Sequence, residues 1–210
     1  MGGGTTAMTD ETISGFVGLV LIPDAPSIDA ARALAKALVP PDAEQTVASG
    51  DLPHVTVMQC PLREAPRAHV ASFVDQLRRQ LLGRTLPLNR VIPFPGGFLF
   101  WTVDPDSPER QLLQSVHENA LTLGDGFLDP ITHAAIVEGT VKATGNDEQL
   151  VGNARRYGYA FAKERYVPHI TLGFASRASF APRDHVFAMR VERAALVRLG
   201  RLGRVEEILL

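Results

Sequence analysis

The sequence predicts an α+β fold: two pseudo-symmetric lobes of mainly antiparallel sheet with outer helices, around a central cleft. Three observations predict it. The string Pro53-His54-Val55-Thr56-Val57 returns 115 positions later as Pro168-His169-Ile170-Thr171-Leu172, which suggests two related halves that each give one strand to the cleft. Apolar strand-like runs and Ala/Leu-rich helical runs are mixed rather than alternating over long parallel crossovers. The 210-residue chain is long enough to bury one sizeable core without staples.

The elements follow from local pattern. Ser14 to Ile22 is rich in Phe, Val, Leu and Ile, and Pro23 closes it as a buried strand. Ile28 to Leu38 is an amphipathic helix with Arg32 and Lys36 on its polar side, stopped by Pro40-Pro41. His54 to Cys60 is the first motif strand. Ala68 to Leu82 reads as a helix ended by Gly83. Leu86 to Phe94 and Phe98 to Val103 form a hairpin about Pro95-Gly96-Gly97. Ser107 caps a helix with Pro108 at its first position, running to about Leu123. Gly124 to Pro130 is a loop. Ile131 to Lys142 fits strand by its β-branched content and helix by its Ala run. Asp147 is placed to cap a helix through Tyr157 or beyond. His169 to Phe174 is the second motif strand; Asp184 to Val191, Ala194 to Gly200 and Val205 to Leu210 read as further strands. Residues 1–12 read as a disordered leader and 13–210 as a single bilobal domain.

The paired motif carries the chemistry. In an extended strand, residues i and i+2 share a face. His54 and Thr56 would therefore face the cleft while Val55 and Val57 enter the core, and His169 and Thr171 would do the same over Ile170 and Leu172. From composition, roughly 0.005 strings of the form Pro-His-apolar-Thr-apolar are expected, so finding two is not a chance event. The alternative is a pair of ordinary strand starts, each with Pro at the entry.

Composition bounds the partners and the compartment. A formal net charge of −2 argues against broad binding to duplex DNA, which needs a large cationic face. It leaves room for a small nucleotide or an RNA end. Cys60 is the lone cysteine, so no intramolecular disulfide forms, and a reducing, cytoplasmic location is expected. Strand alternation would keep Cys60 on the His54 face. As a nucleophile it lacks a local activator and reads better as a small packed hydrophobe. No apolar run approaches a membrane span, and no membrane partner is expected.

The two motifs resemble the signature of the two-histidine (2H) phosphoesterase superfamily, which includes 2′-5′ RNA ligase-like proteins and cyclic phosphodiesterases. Tyr166-Val167-Pro168-His169-Ile170-Thr171-Leu172-Gly173 is similar to the family's C-terminal motif. The resemblance extends to Gly15–Pro23, Phe98–Val103 and Val191–Glu207. The spacing between the motifs is longer than in a minimal member, with the excess between Gly124 and Arg165. The resemblance implies His54, Thr56, His169 and Thr171 as the catalytic set, with no metal and no cofactor. The sequence also lacks His-Glu-x-x-His, Cys-x-x-Cys, calcium-loop and phosphate-loop patterns.

The residue types suit phosphodiester cleavage. Histidine gives and takes protons near neutrality because its reference pKa is about 6.5. One imidazole would act as base, the other as acid, in either order. Threonine hydroxyls would donate to the non-bridging oxygens of an anionic, pentacoordinate phosphorus. The expected activity is hydrolysis of a cyclic phosphate or 2′-5′ phosphodiester on a nucleotide or RNA end. Alternatives are hydrolysis of a small cyclic signalling nucleotide, or a binding module without turnover. Tyr166, three residues before His169, is the expected substrate-binding residue, since a base needs a flat partner. Tyr157 and Tyr159 are open to a lid role. Arg155 and Arg156 could meet a phosphate, although a solvated helix end suits them as well.

Overall fold

The computed structural model describes residues 11–175 and 181–210. Among them, eight strands and five α-helices follow in order: β1 (Thr12–Pro23), α1 (Ala25–Leu38), β2 (Gln45–Thr46), β3 (Val55–Pro66), α2 (Arg67–Leu81), β4 (Thr85–Phe94), β5 (Phe98–Val103), α3 (Pro108–Ala120), α4 (Pro130–Thr144), α5 (Glu148–Tyr157), β6 (His169–Phe174), β7 (Arg183–Leu199) and β8 (Val205–Ile208). Residues 1–10 of the expected leader lie outside the described residues. Thr12 already belongs to β1, where it pairs with Pro66.

The strands run in the order β1-β3-β6-β5-β4-β7-β8, all pairings antiparallel, with short β2 on β6. The path closes into a ring because β7 serves two partners. Its first half pairs with β4, from Arg183↔Val91 to Arg190↔Thr85. Its second half pairs with β1, from Val191↔Pro23 to Arg198↔Val17. The two halves of the ring therefore share β7 at one junction. At the other junction β3 meets β6 through one bridge, Val55↔Ile170, the central residues of the two His-x-Thr motifs.

Side-chain caps start four of the five α-helices, α2 being the exception. Asp24 accepts the Ser27 N–H, and with Pro26 in the first turn it starts α1 at Ala25 rather than Ile28. Ser107 caps α3 as expected, through the Arg110 N–H. The ambiguous segment Ile131–Lys142 is helical because Asp129 accepts the Thr132 N–H, Pro130 presets the first position, and Gly145 closes the end at φ +62°. Asp147 caps α5 through the N–H groups of Gln149 and Leu150. The two strands expected at Asp184–Val191 and Ala194–Gly200 are one strand, β7.

The β4–β5 hairpin forms as expected. Gly96 and Gly97 take φ +93° and +103° at its tip, a conformation that side chains with a Cβ resist.

One core lies under the helices. It includes Leu19 and Leu21 of β1, Val55 and Val57 of β3, Trp101 of β5, and Ile170 and Leu172 of β6. Each motif strand is thus anchored by two apolar residues that are 0% exposed, contributing about 2 kcal/mol apiece. A second, smaller cluster joins Val20 and Ile22 to Ala195, Val197 and Leu199, with Phe16 and Leu52 against it. Successive residues of β1 therefore divide between the two clusters, Leu19 and Leu21 into one and Val20 and Ile22 into the other.

Candidate active site

Two X-Pro-His segments build matching imidazole sites. A proline disfavours helical geometry in the residue before it. Leu52 and Val167 occupy those positions, and each offers its carbonyl to the histidine two residues on. His54 Nδ1 lies 2.9 Å from the Leu52 carbonyl oxygen, and His169 Nδ1 lies 2.6 Å from that of Val167. A carbonyl only accepts, so both rings carry the proton on Nδ1 and leave Nε2 for other work. His54, Thr56, His169 and Thr171 all line one pocket of about 280 Å³. The bridge Val55↔Ile170 is antiparallel, which sets His54 beside Thr171 and Thr56 beside His169.

The backbone repeats the same irregularity in both halves. Against β1, the register steps from Leu19↔Met58 to Val20↔Thr56 and skips Val57. Against β5, it steps from Leu99↔Gly173 to Phe100↔Thr171 and skips Leu172. Both are one-residue bulges, each three positions after the histidine. A bulge reverses the inside–outside alternation beyond it. Gln59 therefore joins His54 and Thr56 in the pocket, whereas Cys60 is turned into the core at 0% exposure. The expectation that Cys60 shares the His54 face fails for this reason. Burial also pushes its thiol pKa up to about 12, so it is not a poised nucleophile.

Alternation upstream of His169 continues unbroken. Arg165, Val167, His169 and Thr171 all line the pocket. Tyr166 has the opposite parity and is 1% exposed. Its ring stacks on His117 with centroids 4.1 Å apart, and its hydroxyl donates to the Thr56 carbonyl at 3.1 Å. Arg110 donates to its carbonyl at 2.6 Å and lies over the ring. The expected substrate-binding role of Tyr166 is corrected: an odd number of steps from His169 puts it in the core.

Sequence reasoning missed the aromatic wall. Phe94, Phe98 and Phe100 from the hairpin, Phe161, Tyr159 and Phe16 line the pocket with the tetrad. Phe100 lies flat on His169, centroids 3.5 Å apart at 18°, and Phe94 stacks on Phe100 at 4.5 Å. Phe98 and Phe100 were findable, because they share parity on the strand and leave Leu99 and Trp101 to the core. Trp101 is 0% exposed and donates to the His185 carbonyl. Of the 124–165 segment, Tyr159, Phe161 and Arg165 reach the pocket. Arg156 does not line it; it pairs with Asp125 at 3.0 Å and lies over Tyr157.

Burial favours the neutral form of both imidazoles. Burial lowers the His169 pKa to about 4, against its carbonyl bond, and a charge on His54 lowers it further. Burial also lowers that of His54, while the Leu52 carbonyl and Asp51 oppose the shift. Asp51 itself pairs with Arg204 at 2.8 Å. Among the described residues, no group of His, Cys, Asp or Glu gathers to hold a metal ion, and no helix is long and apolar enough to cross a membrane.

No protein-family model matches the chain, and no curated protein matches it. Solved structures do. TT0787 of Thermus thermophilus is 16% identical, with a TM-score of 0.55 over 93% of this chain and 95% of that one. E. coli LigT complexed with NADP+ is 14% identical, with a TM-score of 0.56 over 94% and 96%. A phosphoesterase is 15% identical, with a TM-score of 0.55 over 94% and 97%. The likeness is one of fold: this chain has the fold of the two-histidine phosphoesterases.

Proposed function

We propose that the protein hydrolyses a cyclic phosphate, or a 2′-5′ phosphodiester, on a nucleotide or RNA end by two-histidine acid–base catalysis. The observation that carries this reading is the meeting of both His-x-Thr pairs in one pocket, with both Nε2 atoms left available by matching Nδ1–H bonds. The fold of LigT supports it, and LigT itself has been seen with NADP+ bound.

A neutral imidazole takes a proton from water as the water oxygen bonds to phosphorus. The P–O bond to the ribose breaks, and the imidazolium opposite gives its proton to that oxygen. Thr56 and Thr171 donate to the non-bridging oxygens as charge builds there.

The halves are not equivalent electrically. Asp51 favours the cation on His54, and a charged His54 opposes a second charge on His169. We assign His54 as acid and His169 as base. Since both pKa values are depressed, the acid is charged when an anionic phosphate binds and offsets the burial penalty.

The test is turnover of 2′,3′-cyclic nucleotides with a chelator present. His54→Ala and His169→Ala should each lower kcat by about 10²–10⁴. Near-parental turnover by either variant would remove that residue from the chemistry.

A further inference from the structure

Among the described residues, one permanently charged cation lines the pocket. Arg165 is the sole Lys or Arg among the described residues that line it. It is not free to wander. Its Nε donates to Gln149 Oε1 at 2.7 Å and one Nη donates to Asp147 Oδ2 at 2.8 Å. Both acceptors belong to the start of α5, where Asp147 is also the helix cap. A guanidinium has five N–H donors in one plane. Two are engaged, which leaves three, including the paired Nη groups that suit a phosphate.

Position says which phosphate. Arg165 is four residues before His169 on a segment that is extended from Tyr166 onward. At about 3.3 Å per residue, the two Cα atoms stand at most about 13 Å apart. In the proposed reaction the imidazoles and threonines, which line the same pocket, take the reacting phosphate. The tether to α5 keeps Arg165 from joining them, and its side chain is 43% exposed at the mouth. A pocket of about 280 Å³ is at the small end of ligand sites and takes one nucleotide unit between these stations.

We propose that Arg165 is a substrate-binding residue for a second anionic group, so that the preferred substrate is a nucleotide with a phosphate at the end opposite the reacting one. This rests on the reading of the pocket as a phosphoesterase site. A purely structural Arg165 would serve only to pin the start of α5 through Gln149 and Asp147, a role that does not require it to line the pocket.

The experiment compares 2′,3′-cyclic AMP with its 5′-phosphorylated form, using the full chain and the variants Arg165→Gln and Arg165→Lys. The parent should favour the 5′-phosphorylated substrate by about ten- to a hundredfold in kcat/KM. Arg165→Gln should bring that ratio near one, and Arg165→Lys should keep part of it, because charge remains but the planar fork is lost. Calorimetry with adenosine 3′,5′-bisphosphate and adenosine 3′-phosphate reads the same preference without turnover. A parent that does not discriminate, or an Arg165→Gln variant that discriminates fully, overturns the proposal. Inert cyclic substrates beside a bisphosphate preference that Arg165→Gln abolishes would instead refute the catalytic reading and leave Arg165 as an anion site.

Discussion

The Tyr166 hydroxyl donates to the Thr56 carbonyl at 3.1 Å, across 110 residues of chain. The ring it belongs to stacks on His117, whose Nδ1 lies 2.6 Å from the Val57 carbonyl oxygen and whose Nε2 accepts the Lys163 N–H at 3.0 Å. Two buried side chains thus hold consecutive carbonyls of β3 at the bulge. They also bind the segment that carries Arg165 and Val167 into His169. Tyr166→Phe removes the hydroxyl and keeps the ring. It should destabilise the protein by about 1 kcal/mol in denaturant unfolding. The KM for a cyclic nucleotide should not move, because the ring does not touch the pocket. A raised KM with unchanged stability would return Tyr166 to the substrate.

His117 makes acid sensitivity a second test. It is 0% exposed, and burial lowers its pKa to about 4. The unfolded chain protonates this ring near 6.5 and the folded chain near 4. Between those values the unfolded state binds more protons, so stability falls as pH drops through the window and levels off below it. His169 adds to the same slope. His117→Gln can donate to Val57 and accept from Lys163 but does not titrate. Unfolding free energies measured from pH 7 to pH 4 should show a shallower slope for this variant. An unchanged slope would mean that His117 is charged in the folded state.

Activity should carry the same acid displacement. Catalysis needs one imidazolium and one imidazole together, and both free-protein pKa values lie below the ordinary histidine value. The kcat/KM profile, which reports free protein, should therefore peak on the acid side of pH 6.5. The kcat profile reports the complex, where the bound anion favours the cation, and its acid-donor limb should lie at higher pH. Coincident profiles centred above pH 7 would contradict neutral resting imidazoles. Asp51→Asn should move the basic limb of kcat/KM down, since it removes the carboxylate that favours a charged His54.

How much of this was legible in the sequence depends on which physical rule each feature obeys. Strict alternation made the two His-x-Thr faces readable, and cap chemistry at Ser107 and Asp147 fixed two helix starts. Counting by two backward from His169 also reaches Val167 and Arg165, and excludes Tyr166. The aromatic ring of Tyr166 and its closeness to the motif point toward the substrate, but alternation outweighs both. The bulges at Val57 and Leu172 were not readable, because nothing in a Val or a Leu marks a skipped partner. Gln59 and Cys60 exchanged roles on that account. The ring closure was hidden too. The strand β7 serves both halves, and its middle, Met189 to Val191, passes between its two partners without a turn residue.

The stack of Phe100 on His169 makes the last prediction. The rings are 3.5 Å apart and nearly parallel, and the Val167 carbonyl fixes Nδ1. Together they leave the imidazole one orientation, with Nε2 toward the pocket. The paired Cα register Phe100↔Thr171 places the phenyl ring beside the second threonine as well. Its counterpart in the first half is Val20↔Thr56, an aliphatic residue, so the stack belongs to one histidine only. Phe100→Leu keeps an apolar side chain but frees the imidazole to rock. Misplacing a catalytic group by about 1 Å can cost as much as 10²-fold, so kcat should fall between about ten- and a hundredfold. Val20→Ala should spare it, because no ring there is held by that side chain. Steady-state kinetics on one cyclic nucleotide decides the matter. Equal losses from both variants would mean that general loosening of the sheet, rather than the stack, governs His169.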